Sequence, residues 1–455
     1  MLNFVLLRVV NMILNGARGL ALAAILGARE YGIFGTLIVL QQYLSYAALG
    51  VREGVAIRLA RNADGDADTR TIYSSALCWG LGAGSIIVCI FAVLHFGVEK
   101  VPLYFVLIGL LSLASIVNEI FININRHEHR LAKVAGMEFV YQGGALLLVG
   151  IFWKWMTVRG ALLCLLAGLI ASLLGYLATL RTVSWRAASW PITKDLIRIG
   201  IPAAMFSAVV VVFNSCFVLI ANAMKLGDVV GHVVLAANIS VMLLFGLNAV
   251  SWGLASRTMS RLYLPAGGAT TSGATGISDV FFRLGVIGAV LLALCAQPVF
   301  NRFMTEYAGS VQFILYFCLF QSYSLLLFGE SNFLNVNSRL PPVLGGYLVV
   351  MLILAGTLLV DGLAYLAIVR IGVVLHFALA LCIAIYAKRI GFSEGTFRER
   401  AIALCFPLFC MLADLLVGIP AVIAVCALYL IGNLAVHRER TAVLLGALFN
   451  RNLAK

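Results

Sequence analysis

The chain has 455 residues, of which 62% are hydrophobic and only 11% charged, with a mean hydropathy of +1.04. These values exclude a soluble globular domain and mark a polytopic membrane protein. The net charge of +13 raises the question of nucleic acid, but the basic residues sort by side of the membrane, so the charge reports topology and no nucleic-acid partner is expected.

At about 20 apolar residues per span, about fourteen helices are predicted: 4–26, 32–49, 74–96, 102–124, 135–153, 160–180, 199–223, 233–255, 280–300, 311–333, 343–359, 363–387, 401–417 and 421–436. With the N-terminus cytoplasmic, twenty-two arginines and lysines fall in cytoplasmic loops and the tail, beginning with Arg52, Arg58 and Arg61. Only six fall opposite, Arg29, Lys100, Lys154, Arg159, Lys225 and Arg302, while Arg8, Arg18, Arg283 and Arg370 lie in or at the edge of helices. The positive-inside rule therefore puts both termini in the cytoplasm and favours an even helix number. Ala21-Leu22-Ala23 has the look of a signal-peptidase site, but Asn11, Asn15 and Arg18 break the preceding stretch, which is long enough to span, and no cleavage is expected. All ten cysteines fall within predicted spans, where they behave as small apolar residues.

The first helix carries Arg8, Asn11, Asn15 and Arg18, at intervals of three, four and three residues. At about 100° per residue these share one narrow arc. Arginines in an apolar helix are costly unless they face water or a partner, so the arc reads as the wall of a polar, cationic pathway.

A shift of about 199 residues lays Leu26-Gly27 and Gly32 over Leu226-Gly227 and Gly231, Asn15 over Asn214, and Arg58 over Arg257. The common register argues for a duplicated six-helix unit. Six is even, so the halves run parallel: an N-terminal lobe 1–198, a C-terminal lobe 199–400, and two extra helices with a cytoplasmic tail in 401–455. In proteins so built the substrate path lies between the halves, which rock to alternate access.

No GxxxxGK[ST] loop occurs and no polar stretch exceeds about 25 residues, too few for an ATPase or glycosyltransferase domain. Energy is expected from an ion gradient, the membrane potential or the substrate gradient, with no cofactor. The acidic run Asp64-Gly65-Asp66-Ala67-Asp68 lacks the glycine and glutamate of a calcium loop, with Thr69 and Ser75 at those places, and reads as a solvated turn. His127-Glu128-His129, between Arg126 and Arg130, reads as a solvated basic loop.

The remaining intramembrane charges are Glu119 (near Asn118 and Asn123), Glu138, Glu330, Arg370, His376 and Asp414. Two readings stand side by side: mutual pairing that locks helices or snorkelling, and a role in transport. Arginine suits phosphate because its guanidinium is forked and always charged. Arg8, Arg18 and Arg370, with Asn11, Asn15 and Asn214 as neutral donors, are thus candidates for an anionic headgroup, while Gln41, Gln42 and Asn238 could bond sugar hydroxyls. Glu119, Glu138, Glu330 and Asp414 are candidates for ion coupling. Gly80, Gly82, Gly84, Gly143 and Gly144 suit close helix contact, and 54–61 is a short basic amphipathic stretch at the cytoplasmic interface.

The stretch from Leu26 to Gly35 (LGAREYGIFG), then Gly50-Val51-Arg52-Glu53-Gly54 and Arg58-Leu59-Ala60-Arg61, resembles the N-terminal signature of Wzx-type polysaccharide flippases, as does Gly200-Ile201-Pro202 ahead of Leu226-Gly227 and Gly231. These belong to the multidrug/oligosaccharidyl-lipid/polysaccharide exporter superfamily, whose fold is two six-helix lobes, with two further helices in some members. The resemblance implies a non-enzymatic flippase of the bacterial cytoplasmic membrane. Its substrate would be a polyprenyl-diphosphate-linked oligosaccharide, the repeat unit of O-antigen or another surface polysaccharide, moved to the outer leaflet before polymerisation. It further implies lumenal arginines on the diphosphate, with Arg18 and Arg8 the matching positions, and membrane lipids, a polymerase and chain-length machinery as partners. His232 follows Gly231 where the family commonly has an aromatic residue. A multidrug exporter of the same fold and a membrane-embedded glycan polymerase or ligase are the alternatives. An arginine-lined helix should repel the organic cations of the first, and outward loops of about ten residues or fewer leave little room for the second.

Overall fold

The structure, a computed structural model, is helical in every regular element of its described residues, as the all-α reading requires. Those residues are 2–61, 66–97, 101–128, 130–176, 183, 185–241, 294–327, 339–360, 362–391 and 397–418, with scattered positions in 285–292, 330–334 and 421–428. Outside them lie Asp64-Gly65, His129, Arg257, Arg283, the later part of the eighth predicted helix, most of the fourteenth, and the tail. The chain divides into two compact units, 1–238 and 239–455.

In the first unit α1 covers Leu2–Leu44, 43 residues broken at Gly27 (φ 72°, ψ 168°). Unbroken, a helix of that length would reach about 65 Å, twice a bilayer's hydrocarbon core. Instead the chain folds back at Gly27, in a conformation an L side chain resists, and brings the Tyr31 hydroxyl to 3.6 Å from where a Cβ on Gly19 would stand. The predicted first and second helices are the two arms of this hairpin. Leu49 and Gly50, at φ 51° and 80°, turn the chain into α2 (Val51–Arg61), whose Val51, Val55 and Leu59 recur every four residues and are buried.

The unit continues with α3 (Asp66–Gly97), α4 (Tyr104–His127), α5 (Leu131–Ile151), α6 (Val158–Gly175), α7 (Trp190–Ala223) and α8 (Asp228–Val241). Helices α3 and α7 begin eight and nine residues before the predicted spans 74–96 and 199–223. Their first turns carry Arg70, Lys194, Asp195 and Arg198, so charge there marks helix projecting beyond the lipid and not loop. Asp66 to Asp68 are accordingly helical backbone, not the turn expected of them. The glycines of the sequence repeat sit together: a Cβ on Gly32 would meet the Gly231 backbone nitrogen at 2.9 Å, and one on Gly231 would strike the Ala28 carbonyl. Gly80 and Gly84 make similarly close contacts with α4.

In the second unit α9 (Ser310–Leu326), α10 (Pro341–Gly356) and α12 (Phe397–Val417) pack on α11 (Tyr365–Arg389) around Phe317, Phe320, Tyr323 and Leu354.

Eight helices among the described residues are long and apolar enough to cross a bilayer, the α1 hairpin counting as one. The outward faces are apolar, with Ile86, Val93 and Phe96 on α3 and Leu352 on α10 all more than 60% exposed, the arrangement lipid demands. Trp153 and Trp155 after α5 stand exposed where interfacial aromatics anchor a span. The chain is a multi-pass membrane protein.

Candidate functional site

The polar arc of α1 faces α5. Arg8 Nη1 lies 2.6 Å from Glu138 Oε2, and Asn11 Nδ2 donates to the same oxygen at 3.2 Å and to the Ala135 carbonyl at 2.9 Å. Farther along, Arg18 donates from Nη1 to Gln142 Oε1 at 2.6 Å and from Nη2 to Asn15 Oδ1 at 2.7 Å, with its guanidinium 5.4 Å from the centre of the Tyr141 ring. Glu138, Tyr141 and Gln142 recur at the three- and four-residue spacing that puts side chains on one helix face, so a polar stripe on α5 answers the arc on α1.

The two arginines are held differently. Arg8, about 15 Å away along the helix for ten residues of rise, is neutralised by a carboxylate. Arg18 makes no ion pair among the described residues: its partners are two amides and a ring face. Amide oxygens orient a guanidinium without cancelling its charge, so Arg18 presents a preorganised cation inside an apolar helix. Beyond it Asn238 of α8 donates to the buried Tyr31 hydroxyl at 2.9 Å.

A second set of charges lies next to the Arg8 pair. Arg126, in the last turn of α4, interacts electrostatically with Arg8, Glu138 and Glu119. Asn123 donates to the Arg52 carbonyl at 3.0 Å, and Arg52 pairs with Glu53. Burial works against the Arg52 charge, but Glu119 and Glu53 outweigh it and hold its pKa above the ordinary guanidinium range. Arg58 pairs with Asp195, tying α2 to the projecting start of α7.

Arg370 and Asp414 belong to the second unit. Arg370 Nε donates to the Tyr316 hydroxyl at 2.9 Å, that hydroxyl donates to Asp414 Oδ2 at 2.6 Å, and Arg370 Nη2 stands 3.9 Å from the same carboxylate oxygen. One arginine, one phenol and one carboxylate thus connect α11, α9 and α12. Glu330 is buried, as is His376 against the rings of Phe320 and Tyr323 at 4.5 and 5.2 Å. Asn214 lies half-buried on α7, Gln41 donates to Ser115 at 2.9 Å, and Gln42 is exposed. His127 ends α4 with Nδ1 3.1 Å from the Tyr73 hydroxyl, and Glu128 pairs with Arg130 at 3.3 Å.

The structure therefore joins Arg8, Asn11 and Glu138 in one group and Asn15 and Arg18 in a second along the same α1–α5 seam, and Arg370 with Asp414 in the second unit. Reading the sequence missed Tyr141, Gln142, Tyr316 and the inward role of Arg126. The spacing of Glu138, Tyr141 and Gln142 on a predicted helix was the available signal for the first two. Tyr316 sits among aromatics and has no such signature.

Comparison with solved structures places the chain in a known fold. An inward-closed structure of the lipid II flippase MurJ matches with a TM-score of 0.61 at 11% identity, over 97% of this chain and 100% of that one. A MATE transporter in complex with MaL6 matches at 0.63 with 13% identity, over 86% and 94%. An inward-facing multidrug resistance MATE transporter of the MOP superfamily matches at 0.56 with 16% identity, over 85% and 98%. No family model and no curated protein matches the sequence. The fold is the one these MATE and MurJ structures share.

Proposed function

We propose that this chain is a flippase that carries a polyprenyl-diphosphate-linked oligosaccharide, the repeat unit of O-antigen or another surface polysaccharide, from the cytoplasmic to the outer leaflet of a bacterial cytoplasmic membrane. It works by alternating access as a transporter, not an enzyme, with both termini cytoplasmic and the two lobes of the sequence repeat, 1–198 and 199–400, as the moving parts. The observation that carries this reading is Arg18: an intramembrane guanidinium aimed by Asn15 and Gln142, with no carboxylate on it among the described residues. A diphosphate supplies the charge that Arg18 lacks and acceptors for its fork, while the polyprenyl tail stays in lipid. Arg8, Asn11 and Asn15 extend the same face. The basic bias of the cytoplasmic side and the fold shared with a lipid II flippase support the assignment.

Arg18→Ala in the host tests it. Single repeat units are expected to accumulate on the cytoplasmic leaflet, measured with an impermeant glycan-modifying probe on spheroplasts, while the variant inserts normally. Wild-type export from a well-inserted variant would remove Arg18 from the mechanism. The shared fold with MATE transporters keeps a multidrug exporter as the second reading. Resistance to organic cations on expression, with glycan export untouched, would select it.

A further inference from the structure

We propose that Glu138 is an internal counter-anion that occupies Arg8 until a phosphate displaces it, and that it thereby sets which anions the α1 arc admits. The inference rests on the anion-site reading above and assigns Glu138 a role in selection.

Two arginines on one helix face of α1 are treated unequally. Helix α5 offers a carboxylate to Arg8 and, one turn on, an amide to Arg18. The Arg8 and Glu138 side chains are only 10% and 24% exposed, and Asn11 donates to the same Glu138 oxygen that Arg8 contacts. One oxygen thus collects a guanidinium and an amide donor, the contacts a phosphate oxygen would make. An anion that takes this place has to outcompete a carboxylate tethered at contact distance, which acts at a high effective concentration. Acetate or another monoanion offers no more than Glu138 already does. A diphosphate offers greater charge and more acceptor oxygens, so it can take over both the Arg8 and the Asn11 contacts.

The displaced carboxylate also has a destination. Arg126 on α4 lies within electrostatic reach of Glu138, and Tyr176 and the like-charged Glu119 are the other titratable groups that sense it. Release from Arg8 toward Arg126 moves Glu138 from one guanidinium to another and avoids stranding it in an apolar setting. Arg18 needs no such exchange.

The full-length protein, purified in detergent, is titrated calorimetrically with inorganic pyrophosphate and separately with acetate. Glu138→Gln is expected to tighten pyrophosphate binding about tenfold and to let acetate compete, and Glu138→Asp, which keeps the charge but pulls it back by one methylene, about threefold. Arg18→Gln loses binding in each background. If Glu138→Gln fails to fold, Glu138→Asp decides by the same direction of change. Unchanged or weaker pyrophosphate affinity in the folded Glu138 variants overturns the counter-anion role and leaves the anion site standing. Absence of pyrophosphate binding in the wild type and every variant overturns both.

Discussion

Replacing Asp414 by Asn separates a structural tie from a transport role for the Arg370 cluster. The side chain of Asp414 is 5% exposed and that of Arg370 29%, and the Tyr316 hydroxyl sits between them at 2.6 and 2.9 Å. At the 3.9 Å separation of Arg370 and Asp414 the gross attraction is about 4 kcal/mol at an effective dielectric of about 20. Desolvation and the partial exposure of Arg370 reduce its net worth to about 1 kcal/mol. The Tyr316 bond to a charged acceptor contributes about 1.5–3 kcal/mol, of which Asn, still an acceptor, retains roughly half. Asp414→Asn should therefore cost about 2 kcal/mol, and the cycle with Arg370→Gln should show about 1 kcal/mol of coupling. Reversible unfolding of the purified protein in mixed detergent measures both. Coupling under about 0.4 kcal/mol, the spread of independent sites, together with loss of glycan export at unchanged stability, would refute the tie and return Arg370 and Asp414 to the transport pathway.

Gln142→Glu should convert Arg18 into a second neutralised arginine and lower pyrophosphate affinity about tenfold by titration; unchanged affinity would mean that the charge of Arg18 is not used. Gly231→Leu should cut the yield of folded protein in a fluorescence-detected gel-filtration assay, because the Ala28 carbonyl it would strike belongs to backbone that cannot yield, whereas Gly82→Ala, with nothing within 4 Å, should leave the yield intact. Asn238→Leu should cost about 1 kcal/mol in the same unfolding assay, because it removes the amide that donates to the buried Tyr31 hydroxyl, and no change would show that this bond adds nothing to stability.

Helices were legible where apolar length decides the matter, and less so where charge continues a helix beyond the lipid. The nine residues from Trp190 to Arg198 read as loop because Lys194, Asp195 and Arg198 lower the hydropathy, yet a projecting helix needs no lipid partner, only its own hydrogen bonds and a helix to rest on. Arg58 on Asp195 and the close seat of Gly54 on Leu196 supply that rest, and both depend on contacts far apart in sequence. The arc on α1 was legible for a similar reason in reverse: polar residues are so rare in an apolar span that their spacing alone names a face. What lies opposite the arc was not. A span with Arg8 and Arg18 on one face is equally compatible with water, with a carboxylate or with amides. Which of these meets each arginine depends on the register between α1 and α5, set by contacts such as Asn11 on the Ala135 carbonyl and Leu14 beside Gly143, and by nothing within either helix alone. A shift of one turn in that register would exchange the partners, putting Glu138 nearer Asn15 and Arg18 and leaving Arg8 open. The difference between a site that attracts an anion and one that is already satisfied is therefore carried by helix packing, at the scale of a single turn.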